Sequence, residues 1–196
     1  MTHAILVSGE MGSYKTSSAV AMTIFEVEHA SYVMGRKIPL ITNMDLKTTK
    51  DGPKIIHLKD ANDWQHISQN KEFGSFLYLD ELQGQIDSRR SNSRENIRLT
   101  QMMYYLRKMK CCFIGTTPDW MAVDVRLRNI LTCHMHLRKA GKKVFVDYMN
   151  PSSDQVLRTR VLKLSTIRQY QNRFDTNAYC FPIDVPDTLE KMMGEG

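Results

Sequence analysis

The sequence predicts an α/β fold in which a mainly parallel central sheet is flanked by helices, with added antiparallel strands near the C-terminus. Three observations carry this. Apolar runs of strand length alternate with helical patterns through residue 129, as in a parallel sheet joined by crossovers. The first apolar run, Ala4-Ile5-Leu6-Val7, leads directly into the Gly-rich loop Gly9-Glu10-Met11-Gly12-Ser13-Tyr14-Lys15-Thr16. A later run, Phe76-Leu77-Tyr78-Leu79, ends in two carboxylates, Asp80 and Glu81. With 196 residues, one domain is the natural count. We divide it into a core over 3–130, an antiparallel extension over 130–165 and an irregular tail over 169–196.

The elements follow in order. Strand 1 is expected from His3 to Ser8. A helix after Lys15 runs to Val33, with Val20, Ile24 and Val27 on one face. Gly35 supplies its stop. Ile38 to Met44 reads as a second strand, with Asn43 and Asp45 at its end. Lys54 to Leu58 is a short third strand after the Asp51-Gly52-Pro53 turn. Asn62 to Ser68 is a short helix, and Ser75 to Leu79 is the acidic-ended strand. Gly84 to Ser93 is polar, carries Arg89 and Arg90 with Arg94 close by, and reads as an exposed loop. Glu95 to Lys108 is amphipathic, with Leu99, Met102, Met103 and Leu106 spaced as one helical face. Cys111 to Gly115 is another buried strand, closing on Thr116-Thr117-Pro118, and a helix is expected from Asp119 to Asn129. Ile130 to Leu137 and Lys143 to Tyr148 flank a hairpin signal at Lys139-Ala140-Gly141-Lys142. Gln155 to Leu164 is a further alternating strand, and the tail after Arg168 carries Pro182 and Pro186.

The first motif carries chemistry. Residues 9 to 16 match the Walker A phosphate-loop pattern G-x-x-x-x-G-K-[ST] except at Tyr14, where the second glycine belongs. A loop between strand and helix turns its N–H groups around a phosphate, and the helix adds the positive end of its dipole. The candidate nucleotide-binding segment is Gly9, Glu10, Met11, Gly12, Ser13, Tyr14, Lys15, Thr16 and Ser17. Lys15 would reach the β/γ-phosphates and Thr16 would ligate Mg²⁺. In a phosphate-loop enzyme an acidic strand end of the Walker B kind holds the metal, which assigns Asp80 to Mg²⁺. The adjacent Glu81 is assigned to orienting and deprotonating the attacking water. ATP and Mg²⁺ are therefore the expected cofactors. Tyr14 is strained if that position is left-handed. Gly12 could supply the glycine conformation instead, and the tyrosine ring could cover the nucleotide. Either outcome makes the loop atypical and predicts weak affinity or turnover.

Composition excludes several classes. Hydrophobic content of 42% and charged content of 24% are those of an ordinary globular protein. The net charge of +6 is compatible with an anionic ligand, nucleic acid or a membrane surface. No apolar run approaches the roughly 18 residues of a membrane span, and the core strand at the N-terminus speaks against a signal peptide. The four cysteines, Cys111, Cys112, Cys133 and Cys180, form no C-x-x-C pair and read as reduced thiols of a cytoplasmic protein. His134 and His136 share one face of a strand, as metal ligands can, but the pair alone is a weak signal.

Taken together, these motifs resemble the N-terminal cytoplasmic domain of the zonular occludens toxin family, which includes the assembly proteins of filamentous phages. The shared pattern is the phosphate loop at Gly9 to Thr16 and the acidic strand from Leu77 to Glu81. It continues with an arginine-bearing segment at Asp87 to Arg94, a helix ending in Leu106-Arg107 and a strand closing on Thr116-Thr117. A stretch similar to Asp-x-x-Arg at Val123 to Arg128 and a hairpin complete it. The resemblance spans most of residues 3 to 150. Family members often carry glycine at Tyr14 and Thr-Gln at Thr116-Thr117. The resemblance implies an inner-membrane ATPase driving phage extrusion, with a transmembrane helix and periplasmic part after the cytoplasmic domain. The ending Met192-Met193-Gly194-Glu195-Gly196 does not look like a natural stop. A homo-oligomer with phage assembly partners at the inner membrane is implied, as is a γ-phosphate sensor at Thr116. Motors of this kind often complete the site with a neighbour's arginine, for which Arg126 is favoured over Arg128 and the Arg89, Arg90 and Arg94 cluster.

Two rivals stand beside this reading. One is an ATP-dependent nucleic-acid translocase or packaging motor, with Arg89, Arg90, Arg94 and Arg98 as its contacts. The other is a nucleotide-binding scaffold that does not hydrolyse, supported by Tyr14 and opposed by Glu81.

Overall fold

The computed structural model describes residues 3–47, 49–72, 74–84, 93–175, 180–188 and 191. Apolar alternation and helical periodicity produce a single sheet of eight strands, in the order β3-β2-β4-β5-β1-β6-β7-β8. The strands are β1 (Ala4–Gly9), β2 (Pro39–Thr42), β3 (Lys54–His57), β4 (Ser75–Leu79), β5 (Cys111–Thr117), β6 (Cys133–Ala140), β7 (Lys143–Met149) and β8 (Val156–Lys163). The helices are α1 (Lys15–Met34), α2 (Gln65–Gln69), α3 (Arg94–Leu106), α4 (Val125–Arg128) and α5 (Leu164–Arg168). β1 lies between β5 and β6, parallel to both. β4 is parallel to its neighbours β2 and β5. The carboxyl ends of β1 and β4 therefore open on the same edge of the sheet, which is where an α/β sheet binds its ligand.

Each face of the sheet buries its own core. On one side Trp64, Ile67, Leu99, Met102 and Leu106 pack on Leu6, Leu77 and Phe113. On the other, Val20, Ile24 and Val27 of α1 pack with Val7, Tyr78, Ile114 and Met135. Each such side chain contributes about 1.5–3 kcal/mol when fully buried. Ser93 caps α3 by accepting a hydrogen bond from Asn96 N at 3.2 Å. No described helix is long and apolar enough to cross a membrane.

Three expectations change. The helix expected over Asp119 to Asn129 contracts to α4, a single turn. The Asp119 carboxylate accepts from Met121 N at 2.8 Å and the Asp124 carboxylate from Arg126 N at 2.9 Å. Such local bonds offer the backbone an alternative to the helical ladder. The first strand of the late extension starts at Cys133 rather than Ile130 and pairs parallel to β1, so only β7 and β8 are added antiparallel. Among the described residues the tail is mostly irregular apart from the 3₁₀ turn Gln171–Arg173, yet it is docked. Phe181 N donates to Asn43 O at 2.7 Å, Trp64 Nε1 donates to Asp184 O at 2.9 Å, and Ile183 and Val185 join the core. The Gly84 to Ser93 loop, with Arg89 and Arg90, lies almost wholly outside the described residues.

His134 and His136 of β6 do share a face, and both converge on Ser8. The Ser8 hydroxyl lies 2.7 Å from His134 Nε2 and 3.0 Å from His136 Nδ1. The buried His134 ring stacks on Trp120 at a centroid distance of 4.1 Å. Burial pulls its pKa down from 6.5 to about 4, with His136 adding to the effect. The folded form thus holds the neutral ring. Between the two values the unfolded chain binds a proton that the folded chain refuses, so stability rises with pH. The contribution is complete above about pH 6.5 and is lost as pH falls toward 4. We expect the urea midpoint to fall across this window, and His134→Phe, which keeps the stacking, to flatten the slope above about pH 5, where carboxylates add little. An unchanged slope would show that His134 does not titrate in this way.

Candidate functional site

The phosphate loop is shaped by its first residues. Gly9, at the end of β1, has φ 155°. A Cβ there would lie 2.6 Å from the Leu137 carbonyl oxygen and 2.7 Å from Ser13 Oγ, so no side chain fits. Gly12 and Tyr14 both take positive φ, 78° and 65°. Gly12 therefore does not relieve Tyr14, which itself adopts the left-handed conformation of the missing glycine. Tyr14 is the N-cap of α1 yet makes no side-chain cap, and the first turn holds no acidic residue. The first turn thus offers its N–H groups and the positive end of its dipole to the loop with no acidic residue of its own. The Tyr14 ring lies beneath Lys139 Nζ at 5.4 Å, and its hydroxyl accepts from Arg168 Nη2 at 3.4 Å. That hydrogen bond lowers the phenol pKa. Tyr14 thus engages two cations of the late strands and α5.

The two motifs meet at Asp80. Thr16 Oγ1 donates to the Asp80 carboxylate at 3.3 Å, across 64 positions of sequence. Tyr78 OH donates to Asp80 Oδ1 at 3.0 Å, Thr116 Oγ1 donates to the same oxygen, and Cys180 Sγ contacts Oδ2 at 3.7 Å. Asn43 grips the backbone, accepting from Asp80 N at 2.9 Å and donating to Asp80 O at 3.1 Å. Burial pushes the Asp80 carboxyl up, against the hydrogen bonds from Thr116 and Tyr78, and the Glu81 charge pushes the same way. Burial likewise pushes the Cys180 thiol up to about 12. Glu81, with φ 56° and half-exposed, turns away from the line of β4. Its carboxylate lies 4.0 Å from Lys15 Nζ and accepts from Gln83 Nε2.

The structure therefore brings together Lys15, Thr16, Asp80, Glu81 and Thr116. Thr116 is fully buried behind Asp80, and its hydroxyl also accepts from Glu81 N at 3.2 Å. This hydroxyl, expected from the sequence to sense a γ-phosphate, is here shared between the two acidic residues. Arg126 is bound by Asp124 through Nε at 3.0 Å and Nη2 at 2.8 Å. Arg98 pairs with Asp187 at 2.7 Å. Ser17 is buried at the start of α1 and lies 3.5 Å from Gln171 Nε2. Sequence reasoning missed Tyr78, Asn43, Gln83 and Cys180 as site residues. Tyr78 was legible, since residues two apart on a strand share a face. Cys180, 100 positions from Asp80, left no signal.

Comparisons with known proteins bear on the family and the fold. The zonular occludens toxin (Zot) family matches residues 3–177. The fold is similar to the N-terminal domain of zonular occludens toxin from Neisseria meningitidis, at a TM-score of 0.67 and 18% identity, covering 89% of this chain and 100% of that one. It is also similar to the genome packaging NTPase B204 from Sulfolobus turreted icosahedral virus 2 in complex with AMPPCP. That match has a TM-score of 0.52 and 10% identity over 83% of this chain and 97% of that one. The same NTPase in complex with sulfate gives 0.53 at 10% identity, covering 83% and 96%. These likenesses establish a phosphate-loop NTPase fold. No curated protein matches the chain in sequence.

Thr116→Val should leave Asp80 short of a donor and Glu81 N without its acceptor, in a buried setting. We expect a loss of about 1–3 kcal/mol in urea denaturation, with Thr116→Ser costing less than half as much. Equal midpoints for wild type and Thr116→Val would remove this hydroxyl from the network.

Proposed function

The chain belongs to the zonular occludens toxin family, and on that footing we propose that it is the nucleotide-binding, ATP-hydrolysing cytoplasmic domain of a membrane-anchored protein of filamentous-phage assembly and export. The observation that carries the reading is the meeting of both motifs, Thr16 on Asp80 at 3.3 Å and Lys15 on Glu81 at 4.0 Å. The nucleotide complex of the packaging NTPase with the similar fold supports ATP as ligand.

The residues fit a bound Mg²⁺. Thr16 and Asp80 offer a hydroxyl and a carboxylate, hard oxygen donors suited to that ion. Among the described residues no group of three His, Cys, Asp or Glu side chains could hold a metal alone. Magnesium commonly shares its ligands with substrate phosphates and waters. Once bound, the ion would neutralise phosphate charge. The loop N–H groups would cradle the phosphates, and Lys15 would leave Glu81 for them. Freed from Lys15, the Glu81 carboxylate would accept the proton of an attacking water. Thr116 would act as a positioning residue, holding both acids in register. A neighbouring subunit's Arg126, its direction fixed by Asp124, would stabilise charge on the γ-phosphate.

A second reading, an ATP-dependent nucleic-acid translocase or packaging motor, uses the same site and draws support from the likeness to a genome packaging NTPase. A scaffold that binds without hydrolysing draws its support from the strained Tyr14.

Lys15→Ala should abolish ATP binding measured by calorimetry. Glu81→Gln should bind ATP nearly as wild type while turnover falls about 10²-fold or more. Equal loss of binding in both would refute these roles, and wild-type binding without turnover would establish the scaffold.

Activity per subunit should rise with protein concentration if Arg126 acts across an interface. Mixing Arg126→Ala with Lys15→Ala subunits should restore part of the activity, because one mixed interface pairs an intact loop with an intact arginine. No recovery from mixing, or concentration-independent turnover by a monomer, would exclude a shared site.

A further inference from the structure

The net charge of the chain is concentrated in one place. Between residues 133 and 168 lie eight lysines and arginines and two aspartates, a net of +6. The chain as a whole carries 27 basic and 21 acidic residues, also +6, so the remaining nineteen of each sign cancel. The segment is the outer part of the sheet, β6 to β8, with α5. Among the described residues it contains one ion pair, Arg138 with Asp147 at 2.8 Å.

Four of the eight cations lie over aromatic rings, Arg138 over Phe145 at 5.7 Å among them. Arg158 and Arg160 of β8 lie over Tyr148 at 5.3 and 5.9 Å, and Lys139 lies over Tyr14 of the phosphate loop at 5.4 Å. β8 runs from Val156, beside Met149, to Lys163, beside Lys143 at the hairpin end. α5 follows and delivers Arg168 to the Tyr14 hydroxyl at 3.4 Å. A basic track thus runs from Arg158 and Arg160, past the apolar Leu162 on the same face, to Lys139 and Arg168 beside the phosphate loop.

We propose that this track, on the Tyr148 face of β7 and β8, binds single-stranded nucleic acid. Guanidinium groups take phosphates in a planar, bidentate geometry, and rings paired with arginine offer bases a stacking surface. An anionic membrane fits less well. The exposed Leu157 and Val161, 65% and 51% accessible, alternate with Arg158 and Arg160 and so lie on the opposite face of β8, which leaves Val156, 50% accessible, at the strand end as the exposed apolar residue on the arginine face. Inserting them into lipid would turn both arginines away from the headgroups. The proposal needs no hydrolysis, so it stands or falls separately from the ATPase reading.

The test is fluorescence anisotropy of a labelled oligothymidylate of about 30 nucleotides, without nucleotide, from about 50 mM salt upward. We expect binding whose affinity falls with salt, with a log–log slope of about −0.7 for each phosphate neutralised. Arg158→Ala/Arg160→Ala should weaken binding about tenfold or more and flatten the slope, with an unchanged melting temperature. Tyr148→Leu should weaken binding while leaving the slope intact. Lys54→Ala/Lys71→Ala removes the same charge away from the track and should bind as wild type. Absence of binding at low salt, or equal affinities for wild type and the arginine variant, would overturn the proposal. So would vesicles containing phosphatidylserine that bind through Arg158 and Arg160 when the oligonucleotide does not.

Discussion

The buried carboxylate of Asp80 is the constraint on which the rest of the site depends. A carboxylate 5% exposed must be hydrogen-bonded to be tolerated. The carboxylate's partners come from four separate parts of the chain, the start of α1, β4 itself, the end of β5 and the tail at Cys180, while Asn43 at the end of β2 holds the Asp80 backbone. Satisfying one acid therefore fixes the relative positions of the phosphate loop, three parallel strands and the C-terminal segment. The same geometry leaves a cation as the natural remaining partner, because burial and Glu81 both act against the charged form.

Backbone strain is gathered at the same point. Two of the four described non-glycine residues with positive φ are Tyr14 and Glu81. Each follows the turn that closes a functional strand, and each directs a side chain where a regular continuation would not. Strain of this kind persists only where the surroundings over-determine it. For Tyr14 the surroundings are Lys139 and Arg168. For Glu81 they are Thr116 on its N–H, with Lys15 and Gln83 at its carboxylate. The atypical loop is thereby tied to β6 and α5, part of the segment that carries the chain's net charge. A ligand on that segment and a ligand in the loop would share Tyr14 as a neighbour.

The sequence by itself determined the α/β class, the order of strands and helices through β5, and the two motifs that supply Lys15, Thr16, Asp80 and Glu81. These were legible because apolar periodicity and short-range spacing are local properties, and both motifs sit within a few residues of a strand end. It overreached at Asp119 to Asn129, where aspartate side chains bonded to nearby N–H groups instead of permitting a helix. Only the tertiary structure decided that β6 joins β1 in parallel, that Thr116 stands behind Asp80, that Arg126 is bound by Asp124, and that Cys180 reaches the site. Those contacts join residues whose pairing no local pattern encodes, since they follow from which strand lies beside which and from where a buried charge must find its donors.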